Sequence, residues 1–282
     1  MNALELQGLC KSYDGFTLDR LNLVLPAGYI LGLIGENGAG KSTTIRLILD
    51  MIRRDSGTIR VLGQENGEEN PALREQIGVV LDEVGLPDCM NAGQIGRVMR
   101  GIYRQWDEGA YRNCLDRLSI PKQQAFRSLS RGTKMKLGLA VALSHRPKLL
   151  ILDEATNGLD PVVRETVLDM LREFTRDADH SILISSHIVS DLERIADYIA
   201  FLHRGRLLLC EEKDLLLERY GLLRCTKEQL AAMDPCAIVR RRLSAYGAEA
   251  VVERGKAPAG LPLGPVSLEE LFVSMVREGE GL

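Results

Sequence analysis

The feature that most constrains the fold is a glycine-rich loop between an apolar strand and a helix. The run from Tyr29 to Ile34 is broken only by Gly32, which predicts a strand buried on both faces. The apolar spacing of residues 42–52 predicts a helix. Between them lies the phosphate loop, Gly35-Glu36-Asn37-Gly38-Ala39-Gly40-Lys41-Ser42-Thr43. A strand, a glycine loop and a helix in this order favour an α/β fold, which gathers ligands at the carboxyl ends of parallel strands.

The phosphate loop fits the pattern GxxxxGK[ST], and each residue type has a physical reason. Glycines let successive backbone N–H groups point at phosphate oxygens, and the helix N-terminus adds partial positive charge. Lys41 would bring a full charge to the terminal phosphates, and the Ser42 hydroxyl can ligate Mg²⁺. A chance glycine-rich turn is the alternative. With the strand, the helix and the Lys-Ser pair all present, we expect residues 35–43 to bind a nucleotide.

A second signal lies more than a hundred residues further along the chain. Leu149–Leu152 reads as a buried strand that ends in Asp153 and Glu154. A strand end brings both carboxylates to the sheet edge where the phosphate loop is expected. Asp153 is then the expected partner of Mg²⁺, and Glu154 can polarise the water that attacks the γ-phosphate. An acidic turn after a core strand is the alternative, but together the two signals predict a nucleoside-triphosphate hydrolase.

Composition excludes several other classes of protein. The chain has 282 residues, of which 45% are hydrophobic and 27% charged, as in a globular protein of one or two domains. Its net charge is -3 and its pI about 5.9, which disfavours nucleic-acid binding. No run reaches the ~18 apolar residues that a membrane span needs. Six scattered cysteines without a CxxC pair argue against a zinc site or a disulfide framework.

The pattern of elements divides the chain in two. Residues 1–210 alternate strands and helices, and a helical insertion from about residue 82 to 145 interrupts them. Residues 211–282 form an accessory segment with mixed signals. Within it, Arg240-Arg241-Arg242 reads as the solvated face of a helix rather than an anion site, 256–265 as a loop, and Ser267–Arg277 as an amphipathic helix.

A third signal points to a family. Residues 129–133, the signature segment Leu-Ser-Arg-Gly-Thr, resemble the LSGGQ signature of the ATP-binding cassette (ABC) family. Tyr13 matches the aromatic residue that stacks on adenine, residues 157–160 match the D-loop, and His187 matches the switch histidine. The resemblance covers about residues 1–210. It implies a P-loop NTPase fold with an antiparallel β subdomain, a helical insertion and a small C-terminal α+β extension.

The resemblance also assigns roles, each with a plainer alternative. Ser130 and Gly132 would close on ATP held by another subunit, although Ser130 alone reads as a helix cap. His187 would contact the γ-phosphate and act in catalysis with Lys41 and Glu154, although alone it reads as a structural cap. Tyr13 would stack on the base, although alone it reads as an ordinary strand residue.

The sequence departs from the family pattern in two places, at Asp82 and at Arg131 and Thr133 of the signature segment. Asp82 stands where the family usually has the glutamine of the Q-loop. Its oxygen can serve Mg²⁺ or the attacking water, but it adds negative charge near Asp153 and Glu154. We expect a stronger Mg²⁺ requirement and slower turnover than with glutamine. Arg131 lies inside the signature segment, where it would face either phosphate or solvent.

These features together predict the ATP-hydrolysing subunit of an ABC exporter. The resemblance implies ATP and Mg²⁺ as cofactors, a second ATPase subunit, a separate ABC-2-type membrane permease and no nucleic acid. The chain would then lie in the cytoplasm, held on the inner face of the membrane by the permease. A soluble ATPase acting on ribosomes or DNA is the alternative, and a P-loop kinase is a third option. The candidates for lining the permease groove, as against ordinary core packing, are Val84, Leu86, Met90, Ile95 and Met99.

Overall fold

The computed structural model describes residues 1–67, 70–244, 247–258 and 261–277. The strands are β1 (Asn2–Tyr13), β2 (Phe16–Pro26), β3 (Ile30–Gly35), β4 (Ser56–Val61), β5 (Gln64–Glu65), β6 (Ile77–Val80), β7 (Leu149–Asp153), β8 (Ser181–Ser186), β9 (Tyr198–His203), β10 (Arg206–Glu212), β11 (Tyr220–Cys225), β12 (Ile238–Ser244), β13 (Gly247–Glu253) and β14 (Leu263–Gly264). The α-helices are α1 (Lys41–Ile48), α2 (Pro71–Arg74), α3 (Ala92–Ile102), α4 (Glu108–Arg117), α5 (Arg131–Ser144), α6 (Pro161–Phe174), α7 (Val189–Ile195), α8 (Lys213–Arg219), α9 (Lys227–Ala231) and α10 (Leu268–Arg277).

The central sheet has the order β10-β9-β3-β8-β7-β6. All its neighbouring pairs are parallel except β9 and β10, which form a hairpin through Arg204 and Gly205. Both turn residues have positive φ, 45° and 77°, as a tight hairpin turn requires. A separate antiparallel sheet has the order β2-β1-β4-β5. The predicted α/β architecture with an antiparallel subdomain is confirmed.

Alternation along the buried strands supplies two cores, one on each face of the central sheet. Leu149 and Ile151 pack towards α1 and the antiparallel sheet. Leu150 and Leu152 pack on the opposite face among residues of α5, α6 and α7. Because successive side chains of a strand point to opposite faces, Asp153 continues the row that faces α1. The strand therefore directs this carboxylate to the side of the phosphate loop.

The helices of the insertion begin where the sequence places capping residues. Asn91 forms a capping box with Gln94 at the start of α3, and Asp107 caps α4. Ser130 caps α5 by accepting a hydrogen bond from the Thr133 backbone N–H. The first helix, by contrast, is shorter than predicted. It ends at Ile48 rather than residue 52, because Asp50 adopts a left-handed conformation with φ of 56°.

The accessory segment forms a third sheet, of order β12-β13-β11-β14, with α10 beside it. The prediction that Arg240, Arg241 and Arg242 form a helix face is wrong, since they lie in the edge strand β12 and pair with β13. Backbone pairing with β13 sets this conformation, and three consecutive arginines carry no apolar alternation that would reveal it. The predicted amphipathic helix is present as α10, and the predicted loop 256–265 includes β14 and two residues, 259 and 260, outside the described ones.

The accessory segment shares the main core. The Phe272 ring of α10 packs edge-on against Phe201 of β9, with ring centroids 5.1 Å apart. Leu268 and Leu271 are fully buried in the same cluster as the helices behind the central sheet. The division of the chain at residue 210 stays a prediction. Within the described ranges, no helix has both the length and the apolar character of a membrane span.

A buried histidine fastens the end of α5 to the central sheet. The His145 ring stacks on Tyr103 with centroids 4.1 Å apart, and its Nε2 lies 3.3 Å from the Ile77 carbonyl oxygen of β6. Burial lowers the pKa of His145, because the charged ring would lose its hydration. The folded state therefore holds this ring neutral.

This burial predicts an acid-dependent loss of stability. Below about pH 6.5 the unfolded chain binds a proton at this ring that the folded chain binds only at lower pH, so stability falls as pH falls. We expect the melting temperature to drop less between pH 7.5 and 5.5 in His145→Gln than in the wild type. Equal drops in calorimetric scans of the two proteins would contradict this reading.

Candidate nucleotide-binding site

A cavity of about 660 Å³ opens at the carboxyl ends of the central strands. The phosphate loop forms one wall, and the segments after β6, β7 and β8 form the other. Its lining residues are Phe16, Glu36, Asn37, Gly38, Gly40, Lys41, Ser42, Thr43, Asp82, Glu154, Asn157 and His187. Segments distant in sequence meet here because parallel strands end at one edge of a sheet.

The phosphate loop needs its glycines for two physical reasons. Gly38 and Gly40 have positive φ, 80° and 112°, which L side chains rarely adopt. A Cβ atom on Gly40 would also lie 2.9 Å from Cζ of Phe16, and one on Gly35 would lie 2.6 Å from the Leu202 carbonyl oxygen. The helix α1 starts directly after Gly40, so its first backbone N–H groups point into the cavity region where an anion is stabilised.

Lys41 is the buried cation of the site, with 6% of its side chain exposed. Its Nζ donates hydrogen bonds to the carbonyl oxygens of Gly35, at 2.6 Å, and Glu36, at 3.3 Å. The same ammonium lies 3.5 Å from Oε1 of Glu154. A buried charge needs a partner, and in this structure the carboxylate of Glu154 supplies it.

Glu154 is held from a second direction by His187. Oε2 of Glu154 lies 2.6 Å from Nδ1 of His187 and 3.3 Å from its backbone nitrogen. Glu154 itself has φ of 55°, an uncommon conformation for a residue other than glycine. That left-handed turn directly after β7 carries the side chain across the edge of the sheet, where Lys41 and His187 meet it.

Asp153 is buried beside the loop and is held by one residue that the sequence reasoning missed. The hydroxyl of Ser185, on the neighbouring strand β8, donates a 2.5 Å hydrogen bond to Oδ1 of Asp153. Ser185 follows Leu183 in the row of β8 that faces α1, so the alternation of β8 could have identified it. The carboxylate of Asp153 and the half-buried hydroxyl of Ser42 are oxygen donors of the type that Mg²⁺ prefers.

Asp82 lines the cavity and is hydrogen-bonded to the guanidinium of Arg131. The two departures from the family pattern are therefore paired with each other within one chain. Their side chains are 44% and 62% exposed, so the pair is of the weak surface type. Arg131 neither faces open solvent alone nor reaches the phosphate loop of its own chain, but screens the extra carboxylate of the cavity.

Ser130 and Gly132 of the signature segment are not among the residues that line this cavity. Ser130 is exposed, and its hydroxyl lies 2.8 Å from the Thr133 hydroxyl. A Cβ atom on Gly132 would lie 3.0 Å from the carbonyl oxygen of Gly158, so the segment packs closely against the D-loop. The structure thus gathers Lys41, Ser42, Glu154, Asp82 and His187 around one cavity and leaves Ser130 and Gly132 on another surface.

The aromatic residue beside the phosphate loop is Phe16 rather than Tyr13. The two residues are the last backbone pair of the β1–β2 hairpin, but Phe16 lines the cavity, whereas Tyr13 is about half exposed and lies near the Lys11 ammonium. The base-stacking role assigned to Tyr13 stays a prediction. Phe16 was missed because the sequence offers two aromatic residues around one tight turn and does not say which is directed at the loop.

Comparisons with known proteins agree with this geometry. The family model described as ABC transporter matches residues 18–157. The ABC transporter ATP-binding protein YtrB of Bacillus subtilis (strain 168) is 36% identical over 77% of this chain and 74% of its own length. The chain belongs to the ABC transporter family. It is an ATP-binding subunit of this family and an ATPase, as the phosphate loop and Glu154 predicted.

Other ABC proteins extend the comparison. The bacitracin transport ATP-binding protein BcrA of Enterococcus faecalis is 34% identical over 72% of this chain and 67% of its own length. The Nod factor export ATP-binding protein I of Rhizobium leguminosarum bv. viciae is 36% identical over 72% and 67%. A solved ATP-binding subunit of an ABC transporter superposes with a TM-score of 0.70 at 26% identity, covering 77% of this chain and 92% of that one.

The Asp82–Arg131 pair gives a test of the electrostatics of this ABC site. Without Arg131, the carboxylate of Asp82 repels the nucleotide phosphates unscreened, so Arg131→Gln should weaken ATP binding about two- to fivefold, the range expected of an exposed pair. Asp82→Asn should strengthen binding and abolish the effect of Arg131→Gln. The measurement is equilibrium ATP binding in EDTA.

Arg127→Gln provides the control, because Arg127 is also exposed and lies just before the signature segment. Its ATP affinity should match the wild type. If Arg131→Gln weakened binding equally in the wild type and in the Asp82→Asn background, Arg131 would act on the nucleotide directly and the screening role would be wrong.

Proposed function

We propose that this ABC subunit hydrolyses ATP at a site completed by a second ATPase subunit and so drives export through a separate membrane permease. The observation that carries the proposal is the carboxylate of Glu154, held between Lys41 and His187 at the mouth of the phosphate loop. This arrangement places the Lys41 ammonium, which is expected to bind phosphate, next to the Glu154 carboxylate, which is the group best suited to activate water.

Nucleotide binding rearranges this cluster. The terminal phosphates of ATP compete with Glu154 for the Lys41 ammonium, because both are anions seeking the same buried cation. Once Lys41 contacts phosphate, the carboxylate of Glu154 is free to accept a proton from an attacking water, with His187 keeping it in place. The Lys41–Glu154 ion pair therefore separates, and Glu154 becomes available as a base, only when ATP is present.

Ser42 and Asp153 fit a Mg²⁺ ion that would accompany the nucleotide. Both offer oxygen donors on the α1 side of the central sheet, and the bond from Ser185 fixes the Asp153 carboxylate. When bound, the ion would neutralise charge on the β- and γ-phosphates. Asp82 stands as a further candidate ligand, but its partner in this structure is Arg131.

A second subunit supplies what this cavity lacks. Ser130 and Gly132 lie at the exposed N-terminus of α5, and such a helix end stabilises anions. A nucleotide held by the phosphate loop of the same chain would not place its phosphates beside this helix end. Ser130 and Gly132 do not line the cavity of their own chain, which supports a composite site in which the signature segment of each subunit closes on ATP held by the other. Two competent halves of this kind suit a homodimer or a pair of close relatives.

The transport step rests on the relatives and on an apolar surface of the insertion. One relative acts in bacitracin transport and another in Nod factor export, which favours transport over action on ribosomes or DNA. Of the five groove candidates, Ile95 is fully buried and packs inside the insertion, so it cannot contact a permease. The other four are only partly buried. Beside them, Val98 and Ile102 are exposed one helical turn apart on α3.

The catalytic assignments predict a separation of binding from hydrolysis. Glu154→Gln should bind ATP at least as tightly as the wild type, because Lys41 is no longer held by a carboxylate, and should lose roughly 10²–10⁴-fold in hydrolysis. Lys41→Ala should weaken ATP binding itself. Equilibrium binding and phosphate release measured on the same preparations separate the two effects, and wild-type turnover in Glu154→Gln would refute its role as the base.

The permease assignment predicts a localised docking defect. We expect the chain, expressed with the membrane protein of its operon, to co-purify with membranes, and Val98→Asp/Ile102→Asp to reduce the membrane-bound fraction while leaving ATP binding intact. Leu215→Asp, an equally exposed apolar residue on α8, is the matched control. Failure of the wild type to reach membranes under these conditions would overturn the transport proposal.

A further inference from the structure

The helices α6 and α7 meet through two buried polar atoms that lack hydrogen-bond partners in the described structure. Asp191, in the first turn of α7, is 4% exposed, and its Oδ2 accepts no hydrogen bond. Nε of Arg164, in the first turn of α6, likewise donates none. The two atoms face each other at 3.9 Å, which is an ion-pair contact but too long for a hydrogen bond.

Each partner of this contact is tied to a different functional segment. Arg164 Nη2 donates a 3.4 Å hydrogen bond to the carbonyl oxygen of Leu159 in the D-loop. Asp191 follows His187 by one helical turn, and its backbone N–H donates to the carbonyl oxygen of Ile188. The ion pair therefore bridges the D-loop and the segment that carries His187.

The length of the contact is itself informative. Buried polar groups in native proteins are nearly always hydrogen-bonded, so a charged pair left slightly apart favours a second arrangement in which it closes. A shift of under about 1 Å between the two first turns would bring Nε and Oδ2 into hydrogen-bonding range. The surrounding helices allow such a shift to be shared, since packed elements move as units.

We propose that Arg164 is a positioning residue for hydrolysis: it closes on Asp191 when ATP and the second subunit engage the site, and thereby fixes His187 against Glu154. The inference rests on the proposed function, because it assigns His187 and the D-loop to the reaction. Arg164 is not among the residues that line the cavity. Its effect must pass through the geometry of His187.

The neighbouring link between the same helices provides a matched control. Glu165 of α6 and Arg194 of α7 form a two-pronged ion pair at the surface, with one contact at 2.7 Å. That pair joins the helices without contacting the D-loop carbonyl or the first turn of α7. Glu165→Gln should therefore leave ATP hydrolysis unchanged.

The test compares Arg164→Met and Asp191→Asn with the double variant Arg164→Met/Asp191→Leu. Both single variants should lower kcat roughly 10- to 100-fold, as expected of a misplaced catalytic group, with KM for ATP within about twofold of the wild type. The double variant replaces both charges with apolar groups of similar size, so it should recover the wild-type melting temperature but not kcat.

The inference would be overturned by recovery of kcat together with stability in the double variant, or by an equal loss of kcat in Glu165→Gln. The first would make the pair merely structural, and the second would make any α6–α7 link sufficient. Unchanged kcat in Arg164→Met would also refute it. If the wild type hydrolyses ATP and Glu154→Gln does not, the proposed function survives any of these results. If the wild type did not hydrolyse ATP, both this inference and the proposed function would be refuted.

Discussion

The buried ammonium of Lys41 is the interaction on which the rest of the site depends. A full positive charge enclosed at a helix N-terminus requires anionic or carbonyl partners, and the chain supplies two loop carbonyls and Glu154. The two carbonyls lie at the end of β3 and Glu154 follows β7, so the partners lie on segments set by two different strands. The need to satisfy one cation thus ties the loop after β3 to the turn after β7, and through Glu154 to the turn after β8.

In the proposed mechanism the same contacts restrain Glu154 until a nucleotide binds. Lys41 and His187 engage both oxygens of the Glu154 carboxylate. Only an anion that displaces Glu154 from Lys41 releases it, and a triphosphate is such an anion. In the proposed mechanism ATP itself frees Glu154 from Lys41, which couples nucleotide binding to hydrolysis.

Much of this site could be predicted from sequence because strand periodicity and loop chemistry are local. The apolar alternation of β7 fixes the side of Asp153, and GxxxxGK[ST] fixes the position of Lys41. The rest depends on packing between distant segments. That Phe16 rather than Tyr13 lines the cavity depends on how the β1–β2 hairpin packs against Gly40, and the strand at Arg240 follows from pairing with β13. The pairing of Asp82 with Arg131, across 49 positions, depends on how the insertion folds back.

The Asp82–Arg131 pair and the Arg164–Asp191 pair share one property. Each pair connects a group near the cavity to a group on the surface that is expected to meet a second subunit. Asp82 is at the cavity and Arg131 is in the signature segment, whereas Asp191 supports His187 and Arg164 holds the D-loop. In the proposed composite site each subunit contributes half of each reaction centre, so the nucleotide bound by one subunit needs a way to affect the half that this subunit presents to its partner. Exposed pairs such as Asp82–Arg131 exchange readily, whereas a buried pair resists separation. The exposed Asp82–Arg131 pair therefore suits an adjustable link between the two surfaces. The buried Arg164–Asp191 pair suits a link that transmits small displacements from one helix to the other.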